Sequence, residues 1–304
     1  MGARQRARAK VNLTLKVLGR RSDGYHELES LVTFAAIADC LTFVPAEPAQ
    51  LRVSGPFAEA IEAPNILIRA LDVLRQQAID LGGAAIALEK NLPVAAGLGG
   101  GSSDAAALLR MARALYPERA DEPLWRELAG RLGADVPVCL ADRPALIRGI
   151  GEKVYPLPRG PIACDPLPTV LANPQVALAT ERVFAALKAP SLGRAPPDAP
   201  PQPIASREAL FEHMLGVGND LEGPAAALAP VIETVKTALL ARPGCRVAAM
   251  SGSGPTCFGI FASEAQAVAA AADLRRHWPR WWVVATQLDD VVASLATAAR
   301  SAKS

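Results

Sequence analysis

A glycine-rich run that leads directly into an alanine-rich segment constrains this chain more than any other part of its sequence. The run is Pro93-Val94-Ala95-Ala96-Gly97-Leu98-Gly99-Gly100-Gly101-Ser102-Ser103-Asp104, followed by three alanines. Because glycine lacks a Cβ, backbone N–H groups can turn towards an oxyanion, and a helix start adds unpaired N–H groups and a positive dipole end. The pattern therefore predicts that residues 94–104 bind the phosphates of a nucleotide.

Two common phosphate-loop patterns are excluded by the residues after Gly101. A Walker loop requires a lysine there and a dinucleotide fingerprint requires a third glycine, but the chain has Ser102 and Ser103. We expect a strand before the loop and a helix that begins at Ser102 or Ser103, with hydroxyls able to contact a phosphate or its Mg²⁺. The alternative is a flexible loop with a serine-capped helix. Four glycines in five positions favour phosphate binding, because their freedom is costly unless the backbone must approach a ligand closely.

Charge and composition limit the class of partner. The 304 residues include 32 Lys and Arg against 30 Asp and Glu, a net charge of +2. This balance predicts neither nucleic acid nor a membrane surface as partner, and no run reaches the roughly 18 apolar residues of a membrane helix. We therefore expect a small-molecule ligand.

Cysteine usage and the start of the chain indicate the compartment. The five cysteines are widely spaced and form no CxxC or Cys/His metal pattern, so we expect buried free thiols. The basic start is followed by a segment broken by Asn12, Thr14 and Lys16, which does not resemble a signal peptide. We expect a cytoplasmic protein.

Hydrophobic patterning predicts two mixed regions. In the first, strands are expected at 11–17, 28–34, 40–44 and 84–88, a helix capped by Asn65, a helix at 122–132 and a hairpin at 145–157. In the second, strands at 169–172, 246–250, 257–261 and 281–286 alternate with helices, which predicts an antiparallel sheet covered by helices. Proline-rich residues 157–168 suggest domains at 1–160 and 161–304, and residues 189–203 suggest an extended surface loop.

A second glycine cluster, Ser251-Gly252-Ser253-Gly254-Pro255-Thr256, lies between two predicted strands. It could form a nest of N–H groups for an anion, and it could equally be a plain hairpin loop.

Three segments in this order resemble the signature segments of the GHMP kinases: Lys10 with Asn12, residues 93–107 and residues 251–256. The resemblance spans most of the chain and is strongest before Gly151. It implies an α+β fold with two domains, an N-terminal α/β domain like domain 2 of ribosomal protein S5 and a C-terminal antiparallel sheet covered by helices. It also implies an enzyme that uses ATP and Mg²⁺ to phosphorylate a small-molecule alcohol, with metal ligands that the sequence leaves unknown.

The resemblance assigns catalytic roles to Asp135 and Lys10. Asp135 matches the family's catalytic base, although by itself it would be read as a turn aspartate after Gly133. Lys10 matches the catalytic lysine, placed to hold Asp135 ionised and to orient the acceptor hydroxyl. Without the resemblance, a solvated lysine at a strand end would be the simpler interpretation.

Segments 9–13, 19–28 and 133–137 resemble the branch of the family whose acceptor carries a cytidyl group. An aromatic ring and an imidazole at Tyr25 and His26 could stack on cytosine and bond its edge. Core packing and stacking explain Phe184 equally well, and Asn65 could contact adenine or only cap its helix. The expected acceptor-binding residues are Asn12, Tyr25, His26, Thr180, Phe184, Gly252, Ser253 and Gly254.

Two alternatives to this interpretation concern function, and the assembly state is a separate expectation. The chain could act on homoserine or mevalonate, but neither of these acceptors has a base to stack on Tyr25 and His26. It could also be a catalytically silent metabolite-binding regulator on the same scaffold, against which the presence of Lys10 and Asp135 argues. A monomer or weak homodimer is expected.

Overall fold

The computed structural model describes residues 3–45, 50–61, 65–81, 84–119, 121–157, 165–193 and 200–292. Within these ranges, eleven strands form one continuous sheet with helices packed against it. The N-terminal elements are β1 (Ala3–Asn12), β2 (Lys16–Arg20), β3 (His26–Pro45), β4 (Gln50–Ser54), α1 (Ile66–Arg75), β5 (Ala84–Glu89), α2 (Gly100–Leu115), α3 (Glu122–Leu132), α4 (Val136–Ala141), β6 (Ala145–Gly149) and β7 (Lys153–Pro156). The C-terminal elements are β8 (Leu167–Asn173), α5 (Thr180–Leu187), α6 (Arg207–Val217), α7 (Glu222–Leu228), α8 (Val231–Leu240), β9 (Cys245–Met250), β10 (Cys257–Phe261), α9 (Glu264–His277) and β11 (Trp282–Leu288).

The long strand β3 organises the sheet. It pairs antiparallel with β1, β2, β5 and β6, and it meets β11 where Leu288 lies opposite Ala35. On the other side of β11, β8, β10 and β9 continue the sheet, all antiparallel, as the sequence predicts for the C-terminal part. The parallel pair β4 and β5 forms the opposite edge.

Two sequence-based strand predictions are wrong. Residues 28–34 and 40–44 belong to one strand, because the weakly β-forming segment between them pairs with β1 near Arg8. The expected strand at 11–17 is interrupted: β1 ends at Asn12, Leu13 N–H donates to Leu31, and Leu15 N–H donates to Gly218. The alternation of apolar and polar residues over 11–17 does not reflect alternating burial, because Asn12 is buried as well.

Other elements confirm the sequence-based expectations. Helix α1 begins after Asn65, whose side chain accepts a hydrogen bond from Leu67 N–H, and α3 ends before Gly133. Strands β6 and β7 form the predicted hairpin, and Ser263 caps α9. None of the described helices is long and apolar enough to cross a membrane.

Three groups of buried side chains form the core. One lies between α1 to α4 and the N-terminal strands, and includes the fully buried Trp125 and Phe34. A second lies under the C-terminal helices, and a third, around Leu98 and Phe258, lies where the two parts meet. Because this third group joins the glycine-rich run to the C-terminal sheet, both halves of the chain position that run.

The predicted domain division stays a prediction. Its boundary at residue 160, with Cys164, falls in the range 158–164, and the centre of the proline-rich loop falls at 194–199, both outside the residues that the structure describes.

Candidate active site

A cleft of about 1020 Å³ lies at the start of α2, between the glycine-rich run and the β2–β3 turn. Most of the side chains and backbone segments that the sequence selected line it. These are Lys10, Asn12, Tyr25, His26, Ala95, Ala96, Gly97, Gly99, Gly100, Gly101, Ser102, Asp135, Thr180, Phe184, Gly252 and Ser253.

The predicted phosphate loop, residues 93–99 of the glycine-rich run, turns into α2 earlier than expected. The helix begins at Gly100, not at Ser102 or Ser103, and Ser103 N–H already donates to Gly99 C=O at 2.8 Å. Gly99 makes this possible by adopting a left-handed conformation (φ 62°), and a Cβ on Gly100 would come within 3.1 Å of Lys90 Nζ. No side chain caps this helix start, so its N–H groups remain available to an anion.

The second glycine cluster is built against the phosphate loop and is not a plain hairpin loop. Ser251 Oγ donates to Gly97 C=O at 2.9 Å and accepts from Asn12 N–H at 3.1 Å. Thr256 N–H donates to Ala96 C=O at 3.3 Å. A Cβ on Gly97 (φ 74°) would lie 2.3 Å from Ser251 C=O, so only glycine allows this approach. Three segments distant in sequence thus meet in one wall of the cleft.

The structure brings Lys10 and Asp135 together. Lys10 Nζ lies 3.0 Å from Asp135 Oδ2 and donates to Asn12 Oδ1 at 3.1 Å. The Lys10 side chain is 5% exposed, so it is not a solvated lysine, whereas that of Asp135 is 37% exposed and faces the cleft. Asp135 precedes α4 but makes no capping bond through its side chain, which leaves its carboxylate available for chemistry.

Arg8 holds the far end of the helix that follows Asp135. Its Nε lies 2.8 Å from Asp142 Oδ1, at the end of α4, and Nη1 lies 2.8 Å from Asp289 Oδ2. The guanidinium also stacks over Phe34 at 5.2 Å. Burial lowers the pKa of Arg8, and the two carboxylates more than compensate and raise it.

His26 and Phe184 form an aromatic pair at the opposite end of the cleft. Their ring centroids are 4.9 Å apart with planes 27° from parallel. Phe184 also packs against the C-terminal core, as one interpretation of it expects, and its stacking on a base stays a prediction. Tyr25 is 60% exposed beside the pair. Burial and the nearby Arg20 lower the pKa of His26 below its ordinary 6.5, which keeps the imidazole neutral at pH 7.

Two polar pairs complete the wall between these ends. The hydroxyls of Thr180 and Ser253 are hydrogen bonded at 2.8 Å, which joins the start of α5 to the second glycine cluster. Asn12 donates through Nδ2 to Ser30 Oγ at 2.8 Å. Together with the bond from Lys10, this bond fixes the side-chain amide of Asn12 with its oxygen towards Lys10.

Six of the expected site residues lie beside or behind the cleft wall. Asn65 caps α1, Ser103 donates to the Arg8 carbonyl at 2.7 Å, and Asp104 pairs with Lys90 at 2.7 Å. Leu98 is buried in the core, Val94 is exposed, and Gly254 N–H bonds the Ser251 carbonyl.

Sequence reasoning missed several polar residues that line the cleft, chiefly Arg20, Glu181 and Lys188. Arg20 lies in the segment 19–28 and could have been found there. Glu181 and Lys188 carry no distinguishing pattern, because charged residues on a helix surface are common.

The residues around the phosphate loop suit a bound nucleotide. The uncapped start of α2 and the glycine backbone offer N–H groups to phosphates, and Ser102 offers a hydroxyl. Among the residues that the structure describes, no group of three His, Cys, Asp or Glu could hold a metal ion.

Family models match both parts of the chain. The "GHMP kinases N terminal domain" model matches residues 65–143, and the "GHMP kinases C terminal" model matches residues 204–280. The chain therefore belongs to the GHMP kinases, enzymes that use ATP as phosphate donor, and the expected two-domain α+β fold is confirmed.

Two relatives with substantial sequence identity carry the same name, and a more distant one shares only the fold. The chain is 47% identical to the 4-diphosphocytidyl-2-C-methyl-D-erythritol kinase of Parvibaculum lavamentivorans, over 91% of this chain and 95% of that protein. A crystal structure of 4-(cytidine 5'-diphospho)-2C-methyl-D-erythritol kinase is similar with a TM-score of 0.73 and 38% identity, covering 95% of this chain and 100% of that one. The homoserine kinase of Cytophaga hutchinsonii, at 16% identity and a TM-score of 0.61 over 96% of each chain, shares the fold.

Proposed function

We propose that this chain transfers the terminal phosphate of ATP to the 2-hydroxyl of 4-diphosphocytidyl-2-C-methyl-D-erythritol, a step in the non-mevalonate route to isoprenoid precursors. The observation that carries the proposal is the contact of 3.0 Å between Lys10 and Asp135, in a cleft with a phosphate loop at one end and an aromatic pair at the other. The relatives at 47% and 38% identity support the choice of acceptor.

Bound ATP with Mg²⁺ would supply the phosphoryl group and neutralise its charge. In this chain, backbone N–H groups of residues 97–101 would bind the phosphates, and Ser102 would contact a phosphate or the metal. Asp135 would accept the proton of the acceptor hydroxyl as it attacks, which is the role its exposed and uncapped carboxylate permits. Lys10 would hold that carboxylate and orient the hydroxyl.

The aromatic end of the cleft would bind the cytosine. Neutral His26 can donate and accept hydrogen bonds through its two ring nitrogens, while Tyr25 and Phe184 offer faces for stacking. Because His26 and Phe184 stack on each other, an incoming base must displace one ring or stack beside the pair. Asn12, Thr180 and residues 252–254 would contact the rest of the acceptor, and Asn65 would lie near the adenine.

A comparison of acceptors tests the proposal directly. We expect purified protein with ATP and Mg²⁺ to release ADP in the presence of the cytidyl acceptor and not with homoserine or mevalonate. Release with homoserine or mevalonate alone would assign the chain to another GHMP kinase activity. Binding of ATP without turnover of any of the three would favour a silent regulator, and either result would overturn the proposal.

The proposal includes a cytoplasmic protein that is a monomer or weak homodimer. The four cysteines in the described part of the chain are free, as expected in a reducing compartment. Burial raises the pKa of the Cys139 thiol to about 12, so this neighbour of Asp135 is unreactive. Sedimentation velocity tests the assembly state.

A further inference from the structure

A buried ion network lies directly behind the phosphate loop and has no role in the chemistry proposed above. Lys90 Nζ lies 2.6 Å from Asp39 Oδ2 and 2.7 Å from Asp104 Oδ2. The three side chains come from β3, the residue after β5 and the second turn of α2, and none is more than 3% exposed. Burial lowers the pKa of Lys90, but the two carboxylates prevail and raise it, so the ammonium is charged.

The network contacts both ends of the phosphate loop. Asp39 Oδ1 accepts hydrogen bonds from Asn91 N–H at 2.6 Å and Leu92 N–H at 2.8 Å, where the chain leaves β5 for the loop. Asp104 lies in α2 five residues after Gly99, where the loop ends, and a Cβ on Gly100 would lie 3.1 Å from Lys90 Nζ. The loop, residues 93–99, therefore spans two points that are fixed to one ammonium group.

The network contributes little net stability, because its three charged groups lose their hydration when they are buried. Two carboxylates share one cation, and Asp104 Oδ1 is buried without a hydrogen-bond partner among the described residues. Well-packed apolar residues are often as stable as a buried ion network, whereas an unsatisfied buried oxygen costs about 1–3 kcal/mol. Apolar residues could not supply the directional hydrogen bonds that the network makes at the two ends of the loop.

We propose that Asp39, Lys90 and Asp104 are positioning residues that hold the two ends of the phosphate loop at the separation required to bind the ATP phosphates. Asp104 couples the loop to α2, and Asp39 couples it to β5. This inference rests on the proposed function in one respect: it takes residues 97–101 as the site of the nucleotide phosphates.

Substitution of Asp104 tests the inference. In Asp104→Ala, Lys90 loses its bond to α2, and we expect the KM for ATP and the dissociation constant of ADP to rise at least about fivefold, because small misplacements of binding groups are costly. The KM for the acceptor should stay within about twofold of the unaltered protein, because its contacts lie elsewhere in the cleft. Asp104→Asn, whose amide oxygen can still accept from Lys90, should show a clearly smaller rise in both nucleotide constants.

Asp273→Asn provides the matched control. Asp273 on α9 pairs with Arg242 at 2.9 Å, away from the cleft, with both side chains partly buried. This substitution should lower the melting temperature and leave both KM values unchanged. If Asp104→Ala does not fold, Asp104→Ser replaces it, since the hydroxyl can bond a backbone carbonyl of the preceding helix turn.

The outcomes separate this inference from the proposed function. An active protein whose Asp104→Ala variant keeps the nucleotide constants, or loses both substrates' affinities equally, would overturn the inference and leave the kinase assignment intact. So would an Asp104→Asn variant no better than Asp104→Ala. If the unaltered protein does not phosphorylate the cytidyl acceptor, the function fails, and ADP titration by calorimetry still decides the role of the network.

Discussion

Lys10 and Asp135 are in contact at 3.0 Å although 124 residues separate them in the chain. Lys10 lies on β1, next to the phosphate loop whose Leu98 carbonyl accepts from its N–H, and Asp135 immediately precedes the short helix α4. The carboxylate is open to the cleft while the ammonium is buried behind it. This is the geometry required of a general base held by a fixed cation.

Asp135→Ala should bind ATP normally and lose turnover. Removal of a general base lowers kcat by at least about 100-fold, and the phosphate loop does not contact this side chain. Steady-state kinetics with both substrates, together with ADP titration, provides the measurement. Turnover close to that of the unaltered protein would exclude Asp135 from the mechanism.

The effects of Lys10→Ala and Asp135→Ala on kcat should not be additive. Because the two side chains act as one unit, the double variant should lose less than about tenfold in kcat beyond the Asp135→Ala variant. A double-mutant cycle on kcat measures this. Multiplicative losses would show that the two groups contribute separately despite their contact.

His26→Ala should raise the KM for the acceptor more than the KM for ATP. The substitution removes the ring that stacks on Phe184 at 4.9 Å and the nitrogens that could bond the cytosine edge. His277→Ala is the control, because that imidazole lies on α9, outside the cleft lining, and should leave both constants unchanged. Equal effects of His26→Ala on both substrates would contradict base recognition by this residue.

Gly97→Ala should destabilise the phosphate loop and weaken the binding of ATP. Its Cβ would lie 2.3 Å from the Ser251 carbonyl, so the loop or the second glycine cluster must move. We expect a lower melting temperature and a KM for ATP raised at least about tenfold. Gly130→Ala is the matched control: nothing lies within 4 Å of its Cβ, it lies within α3, and it should stabilise the protein by about 0.5–1 kcal/mol with unchanged kinetics.

Asp104 should make stability fall with rising pH. Burial and the neighbouring Asp39 raise its pKa from 3.8 to about 7 in the folded protein, against the opposing effect of Lys90. Between those values the folded state binds more protons than the unfolded state, so stability present below pH 3.8 is lost as the pH approaches 7. Asp104→Asn should flatten this part of the curve in chemical denaturation from pH 4 to pH 8. An unchanged slope would show that the Asp104 carboxyl does not titrate in this window.

The elements of the site could be predicted from sequence where the signal is local. The four glycines within residues 97–101 indicate an anion-binding loop because their backbone freedom is costly elsewhere, and Asn65 indicates a helix start because its side chain can cap one. The structure contains the glycine-rich turn into α2 and the helix that begins after Asn65. The helix start at Gly100 was missed because it depends on the left-handed conformation of Gly99, which is visible only in the fold.

The proposed catalytic pair of Lys10 and Asp135 could be predicted only through the resemblance to a family. By itself, Asp135 after Gly133 is typical of a turn, and Lys10 is typical of a solvated strand end. Their contact depends on how β1 and α4 pack around α2, which no local pattern encodes. The same holds for the network of Asp39, Lys90 and Asp104: the residues lie in a strand, a strand end and a helix, and only tertiary packing makes their charges one unit.

Phosphorus NMR of the product tests the central claim most directly. With ATP, Mg²⁺ and the cytidyl acceptor, the protein should generate a new phosphomonoester signal, coupled to carbon 2 of the methylerythritol, while the diphosphate signals of the acceptor remain. The Asp135→Asn variant, which keeps the shape of the side chain, should give almost none of it in the same time. A phosphate on any other hydroxyl, or equal product from both proteins, would contradict phosphorylation of the 2-hydroxyl through the pair of Lys10 and Asp135.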